Sequence, residues 1–278
     1  MKRILIPLLS LILLAPFPLR AQQIPFGDDE EIAYTIHYKY GISADLASLT
    51  LKGEREGDTF HSTVRINTFR FWDSFYKMRD LYETTFEYAA GLRPITAYRD
   101  VEEGGYWAKC RFTWTPDASS VRAVIDKKDR PHRDTVLKEE GTIRDIFNMV
   151  YFCRAADYGA LQKGKQVRTF VAMDRSVYKV TARFAGREKK KVGGKTYNTI
   201  KLAIAVSATG ADISDVGTAV SLGNSESDYD GGEKMWFWVT DDDNRLPVFF
   251  SANLKVGAIQ GRLTKVSGNS HPFTSIIE

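Results

Sequence analysis

Hydrophobic and polar residues alternate along most of the chain from residue 31 onward. In the first such stretch, Ile32, Tyr34, Ile36 and Tyr38 alternate with charged or polar residues, a pattern typical of a strand with one buried and one solvated face. The same alternation predicts ten further strands, at residues 60–69, 79–88, 106–114, 121–126, 167–173, 177–184, 199–206, 235–240, 248–256 and 258–266. Turn signals at short intervals predict that neighbouring strands are antiparallel.

One segment follows a helical period instead. Its apolar residues recur at three- and four-residue steps and are Ile143, Ile146, Phe147, Val150 and Cys153. The spacing predicts one amphipathic helix over residues 143–157, which begins with a capping box formed by Thr142 and Asp145. The apolar stripe of this helix needs a partner surface. We therefore expect an all-β, mainly antiparallel protein: a large curved sheet or incomplete β-barrel with one amphipathic helix packed on its concave face.

The first residues have a different character. Lys2 and Arg3 precede an apolar run at residues 4–14, which is too short to span a bilayer, and a proline-broken stretch then leads to a small residue at position 21. This is the pattern of a secretory signal peptide at residues 1–21. We expect a single β-rich domain at residues 22–278, without a transmembrane segment. This signal would direct its export to the periplasm or the outer membrane and would then be cleaved.

Charge and cysteine content narrow the function classes. Loss of the signal removes three of the 39 basic residues and leaves 36 against 35 acidic ones, so no basic surface predicts nucleic-acid binding. Cys110 and Cys153 are the two cysteines. An oxidising compartment would permit a disulfide between them, whereas their positions on apolar faces favour two buried free thiols.

The stretch WVTDDDNRLPV at residues 238–248 places three aspartates and an asparagine together. It does not fit a calcium-binding EF-hand, because Leu246 stands where the loop requires glycine and Ala252 stands where it requires a bidentate acid. A hairpin turn between two strands is the better interpretation. We predict neither a metal site nor a cofactor.

Other catalytic motifs fail on context. Gly193 to Thr196 imitates the end of a phosphate-binding loop but lies between two strands. Ser221 lies near a nucleophile-elbow pattern that has neither the strand nor the helix it needs. It falls within a polar connection at residues 207–232 that is either mobile or a flap over a cavity mouth. No residue is predicted to be catalytic.

Aromatic residues form 12% of the chain. A single helix cannot cover the whole concave face of a sheet of ten or more strands, so some of these rings need another partner. They fill the core, or part of them lines a pocket in the concave face for a hydrophobic or amphiphilic ligand. The candidate ligand-binding residues are Tyr34, Tyr38, Phe112, Trp114, Trp236 and Trp238.

Four long segments carry a resemblance to a known family. They are EIAYTIHYKYGISADLASLTL, DSFYKMRDLYETTFEYAAGLRPITAYRDVEEGG, TIRDIFNMVYFCRAAD and MWFWVTDDDNRLPVFFSANLKVGAIQGRLT. In their order and spacing the chain resembles the domain-of-unknown-function 3108 family of exported Gram-negative bacterial proteins. The resemblance implies an incomplete antiparallel barrel, similar in fold to periplasmic lipoprotein carriers, and it implies no activity or catalytic residue.

Three functions remain open. The first is a non-enzymatic envelope protein that binds a hydrophobic small molecule or lipid in its half-barrel. The second is a structural or interaction module with a filled core and an envelope protein as partner. The third is a hydrolase of an envelope glycan or ester, in which Ser221, Asp228, Asp230 or the aspartates near 241 would converge on a histidine.

Overall fold

A computed structural model describes residues 24–40, 42–89, 91–156, 164–209, 235–254 and 257–277. The predicted signal peptide at 1–21 lies outside these residues, and so does the polar connection from residue 210 onward. Residues 207 and 208, predicted as part of that connection, continue a strand. In the described part of the chain, no helix has the length and apolar character that a membrane span requires.

These residues form fifteen strands, one α-helix and a short 3-10 helix at Trp72–Ser74. The helix α1 is Ile146–Arg154. The strands are β1 (Asp29–Tyr40), β2 (Ile42–Glu56), β3 (Thr59–Thr68), β4 (Arg79–Glu87), β5 (Pro94–Glu103), β6 (Tyr106–Trp114), β7 (Ser120–Lys127), β8 (Arg133–Lys138), β9 (Ile143–Arg144), β10 (Gln166–Met173), β11 (Ser176–Val192), β12 (Lys195–Ala208), β13 (Met235–Thr240), β14 (Pro247–Asn253) and β15 (Ala258–Ser267).

All fifteen strands belong to one sheet, in the order β8-β7-β6-β5-β4-β3-β2-β1-β15-β14-β13-β12-β11-β10-β9. Every neighbouring pair is antiparallel except β9 and β10. The sheet curls into a nearly closed barrel with one unsealed seam between its edge strands, β8 and β9. This architecture confirms the predicted fold class. The eleven predicted strands are present. The sequence pattern missed β2, β5, β8 and β9, and among these β5 and β8 alternate weakly because few of their side chains are buried.

Three clusters of buried apolar side chains form the core of the described residues. In the first, the ring of Tyr151 on α1 packs against Phe26, Phe60 and Phe86 with centroids 4.6, 5.2 and 5.3 Å away. The second lies between β6, β7 and the strands from β9 to β11, and it includes Cys110, Phe112, Trp114, Val121, Ile125, Ile143 and Val177. The helix therefore packs on the concave face, as predicted.

The bounds, the N-terminal cap and the buried face predicted for the helix are wrong. Asp145 itself is the N-cap, and its side chain accepts hydrogen bonds from the N–H groups of Phe147 and Asn148. The face that α1 buries is Asn148, Tyr151 and Arg154 rather than the predicted apolar stripe. Two of these three residues are polar, and their burial is possible because distant groups satisfy them: Asn148 donates to the carbonyl of Leu92 at 3.0 Å.

The aspartate-rich stretch is a hairpin turn, as predicted. β13 ends at Thr240 and β14 begins at Pro247. The carboxylate of Asp242 accepts from the Thr240 hydroxyl at 2.7 Å and from the Asn244 N–H at 3.1 Å, so it holds the turn together. Asp241 bonds the guanidinium of Arg187 at 2.8 Å. Within the described ranges, no group of three or more His, Cys, Asp or Glu side chains could hold a metal ion.

Candidate functional site

The six aromatic residues predicted to line a pocket occupy separate places. Tyr34 is buried in the first apolar cluster, where its hydroxyl donates to the carbonyl of Pro247 at 2.7 Å. Phe112 and Trp114 are buried in the second cluster, with ring centroids 6.0 Å apart. Tyr38 is half-buried on β1. Tyr34, Phe112 and Trp114 thus pack in the core, and so does Trp238, which is buried in the first cluster with Tyr34.

Trp236 and Trp238 lie on the other face of the sheet from Tyr34. They alternate along β13 with Phe237, whose ring stacks on Phe250 at 5.5 Å. Phe250 in turn lies 5.8 Å from the ring of Tyr34. Successive side chains of a strand point to opposite faces, so Phe237 shares the face of Tyr34. The six residues therefore do not all share one face of the sheet.

A small pocket opens between β4, β5, the start of α1 and the turn that joins β10 to β11. Arg99 and Asp174 line it, and the Nη1 of Arg99 donates to Asp174 at 2.9 Å. Lys127 donates to the other carboxylate oxygen at 2.8 Å. The pocket has space for about one water molecule, which is too small a volume for a lipid-like ligand. The three charges instead join both sides of the seam.

The buried ionisable groups near this pocket are not poised for nucleophilic chemistry. Burial alone would raise the pKa of Asp174, but Arg99 and Lys127 hold it below its ordinary value. Burial raises the pKa of the Cys110 thiol to about 12 and that of Cys153 to about 11. Both cysteines are free thiols, and at neutral pH they stay protonated and unreactive.

Asp80 on β4 is a buried carboxyl group beside Glu103 on β5. Its Oδ1 accepts from the backbone N–H of Glu102 at 3.2 Å. Burial, and then the negative charge of Glu103, raise the pKa of Asp80 to about 8. At neutral pH this side chain is therefore largely protonated.

Replacing Asp80 by asparagine is expected to make stability less dependent on pH. In the native chain the folded state keeps the proton up to about pH 8, whereas the unfolded chain loses it near pH 4, so stability falls between these values. Asp80→Asn imitates the protonated form. Its gain over the native chain should be near zero at pH 4 and about 1–2 kcal/mol above pH 8, after allowance for solvent screening. Urea unfolding measures this, and a gain that stays constant with pH would contradict it.

The most unusual surface feature is a set of exposed aromatic rings at one end of the sheet. Phe71 and Phe75 are 69% and 75% exposed, and Phe69 and Tyr76 are 39% and 47% exposed. Tyr106 and Trp107 at the start of β6 are also exposed. We call these residues the rim patch: Phe69, Phe71, Phe75, Tyr76, Tyr106 and Trp107. Single exposed apolar residues are ordinary, whereas a contiguous patch marks an interaction site.

The segment that carries most of the rim patch is firmly held. The Trp72 Nε1 donates to the carbonyl of Asp45 at 2.7 Å, and the Phe69 N–H donates to that of Leu46 at 2.9 Å. Asp73 accepts from the guanidinium of Arg79 at 2.5 and 3.0 Å. These bonds tie the connection between β3 and β4 to β2, so the rings of Phe71 and Phe75 project from a fixed base.

A serine, a histidine and an aspartate also meet near this segment. The Nε2 of His37 lies 2.7 Å from the hydroxyl of Ser43, and its Nδ1 lies 2.7 Å from Asp45, the order found in hydrolase triads. Arg262, however, bonds the same carboxylate and lies 2.7 Å from the same Nδ1. Arginine is always positively charged and can only donate. The negative charge of Asp45, which would stabilise a protonated His37, is therefore already paired with Arg262. This network joins β1, β2 and β15.

Within the described residues, the aspartates expected for a hydrolase have other partners. Asp241 bonds Arg187 and Asp242 holds its own turn, so neither is placed against a histidine side chain by these bonds. Ser221, Asp228 and Asp230 lie outside the described residues.

Comparison with known families decides the membership of the chain. The sequence model of a family described as "Protein of unknown function (DUF3108)" matches residues 33–264. The chain belongs to this family. The matched range begins within β1 and ends within β15, so the DUF3108 domain contains α1, the seam and the rim patch. This confirms the resemblance found in the sequence.

One solved structure similar to this DUF3108 chain is the crystal structure of a beta-barrel-like protein of domain of unknown function DUF1849 from Brucella abortus. The TM-score is 0.52 at 10% sequence identity, and the match covers 87% of this chain and 98% of that one. At this identity the likeness shows the fold alone. A comparison with functionally curated proteins gives no match.

The rim patch of this DUF3108 chain is a feature that the alternation of hydrophobic residues does not reveal. Residues 70–78 lie between two predicted strands, and together with Phe69 they form a connection that includes a 3-10 helix. Rings stand at positions 69, 71, 72, 75 and 76, which fits neither a period of two nor one amphipathic helix. Dense aromatic residues without a period are the signal that indicates an exposed site.

Proposed function

We propose that the protein is an exported, non-enzymatic envelope protein that binds a hydrophobic or amphiphilic, lipid-like ligand through its rim patch. The single observation that carries this proposal is the exposure of Phe71 and Phe75 on a firmly held connection. Contact of these exposed rings with an apolar partner is favourable, because it removes their apolar surface from water. Because the base is rigid, little conformational entropy is lost on binding.

Two further observations support the surface rather than the interior as the binding site. The inner face of the sheet is occupied by α1 and by the rings around Tyr151, and the pocket beside Arg99 has room for about one water molecule. The pairing of Asp45 with Arg262 argues against hydrolysis at Ser43. Export rests on the sequence pattern at residues 1–21.

The proposal predicts that Phe71→Ser/Phe75→Ser weakens binding of a soluble amphiphile. Each ring that becomes buried contributes about 1.5–3 kcal/mol, so loss of both should raise the dissociation constant by roughly 100-fold or more. A short-chain phosphatidylcholine below its critical micelle concentration is a suitable probe, and isothermal titration calorimetry measures its binding. Both rings are exposed, so the melting temperature should remain close to that of the native chain.

Val136→Ser is the matched control, because this apolar side chain is 55% exposed on β8, away from the rim patch. It should bind the probe as the native chain does. Equal loss in both variants would show that general surface hydrophobicity is responsible. If the native chain does not bind the amphiphile at all, the proposed function is wrong, and a protein partner for the patch becomes the better hypothesis.

A further inference from the structure

We propose that the partner of the rim patch is the surface of a bilayer that contains anionic lipids. This inference rests on the proposed function and names the form in which the lipid is met. Two observations carry it: the arrangement of the rings along one end of the sheet, and the charges that stand among them.

The rings lie on connections, or on the strand residues next to them, at the same end of the sheet. Because the neighbouring strands are antiparallel, the connections from β3 to β4, from β5 to β6 and from β7 to β8 are all at that end. Contacts join them: the Tyr76 ring lies against Gly104, and Lys128 donates to the carbonyl of Gly105 at 2.7 Å. The backbone N–H of Lys128 also bonds the carbonyl of Trp107. Exposed rings along one end of a sheet suit an extended partner better than an enclosed small molecule.

The kinds of side chain also fit a bilayer. Tyr and Trp rings favour the level of the lipid headgroups, where an apolar ring and a polar group are both accommodated. Tyr76, Tyr106 and Trp107 are partly exposed, while Phe71 and Phe75 project furthest and carry no polar group. The two phenylalanines are therefore the side chains that would enter the acyl region, with the others around them at the interface.

The charges among the rings favour anionic headgroups. Arg70 and Lys77 are exposed, and in the described part of the chain no carboxylate lies within ion-pair distance of either. The acid between them, Asp73, is paired with Arg79 at 2.5 Å, and the buried Asp80 is largely protonated at neutral pH because its pKa is about 8. Glu103 is a carboxylate in contact with the rings, since it accepts from the Tyr76 hydroxyl at 3.5 Å, and the exposed Lys128 stands on the next connection, where it donates to the carbonyl of Gly105. Each exposed cation near an anionic surface contributes about 1 kcal/mol.

Flotation with lipid vesicles tests the inference. The probes are vesicles of phosphatidylcholine alone and of phosphatidylcholine mixed with phosphatidylglycerol. The native chain should float with the mixed vesicles and bind them more tightly than the neutral ones, with a difference that decreases at high salt. Arg70→Gln/Lys77→Gln should bind the mixed vesicles on the order of 30-fold less tightly and the neutral vesicles as before.

Lys189→Gln/Lys191→Gln is the matched control. It removes the same charge from two exposed residues near the turn between β11 and β12, at the opposite end of the sheet, and it should bind mixed vesicles as the native chain does. Equal binding of neutral and mixed vesicles by the native chain would overturn the preference for anionic lipid. If the chain binds the soluble amphiphile but neither vesicle, the bilayer inference is wrong and the proposed function stands. If it binds none of the three, both are wrong.

Discussion

Arg154→Met is expected to destabilise the protein by about 3–5 kcal/mol. Arg154 lies on α1, and its buried guanidinium donates to both carboxylate oxygens of Glu30, at 2.6 and 2.8 Å. It also donates to the carbonyls of Pro25 and Asn244 at 3.2 and 3.1 Å. Methionine would fill much of the volume but leave the fully buried Glu30 without a cation. Urea unfolding measures the loss, which should appear as a lower midpoint with an unchanged slope.

An exposed ion pair provides the control. Arg122 bonds Asp134 through two nitrogens on the solvent side of β7 and β8, at 2.9 and 2.5 Å. Arg122→Met should cost less than about 1 kcal/mol, because water already screens that pair. Glu30→Leu/Arg154→Met should recover part of the stability lost in Arg154→Met, since it removes the stranded charge. A single variant as stable as Arg122→Met would show that Arg154 does not hold the core together.

The same pair shows where prediction from the sequence stops. The alternation along β1 and β6 reports which face of a strand is buried, and those strands are predicted correctly. Arg154 counts as a polar residue in any such pattern, so the buried face of α1 was assigned to the wrong residues. Its burial depends on Glu30, which lies 124 residues earlier in the chain. A pairing over that distance leaves no local pattern.

The candidate site divides in a similar way. The sequence indicates that aromatic residues are numerous and that some lie on alternating faces. It does not show which face of β13 turns inward, because Trp238 and Phe237 are equally apolar. Only the pairing of Phe237 with Phe250, and of Phe250 with Tyr34, places Trp238 on the other face. The rim patch was missed for a different reason: most of its rings lie on a connection, where hydrophobic periodicity gives no information about exposure.

The structure also relates the proposed binding surface to the rest of the fold. The filled inner face and the Glu30–Arg154 pair stabilise the sheet, while Phe71 and Phe75 lie outside all three apolar clusters, so these two rings can change without loss of the core. Binding and stability should therefore respond to different substitutions. A variant such as Phe71→Ser/Phe75→Ser should lose binding at constant stability, and Arg154→Met should show the reverse at temperatures where it remains folded.

Gly268→Ala is expected to destabilise the protein by about 3 kcal/mol or more. Gly268 follows β15 with a left-handed φ of 72°, and a Cβ there would lie 1.5 Å from the carbonyl oxygen of Asp29 and 3.1 Å from the Cα of Glu30. Gly27 makes a similar approach, since its Cβ would lie 1.9 Å from the carbonyl oxygen of Gly268. Two backbone segments therefore touch where only glycine fits. Separating them would also move Glu30 away from Arg154.

Gly57→Ala separates the effect of backbone conformation from that of contact. Gly57 has a φ of 60°, and no atom lies within 4 Å of the Cβ position, so alanine there should cost only about 1–2 kcal/mol for the left-handed conformation. The excess loss in Gly268→Ala measures the contact with Asp29. In the background of Glu30→Leu/Arg154→Met this excess should shrink, because part of it reflects the displaced ion pair. Equal losses in the two glycine variants would show that the two segments can separate without cost and that the backbone contact does not position Glu30.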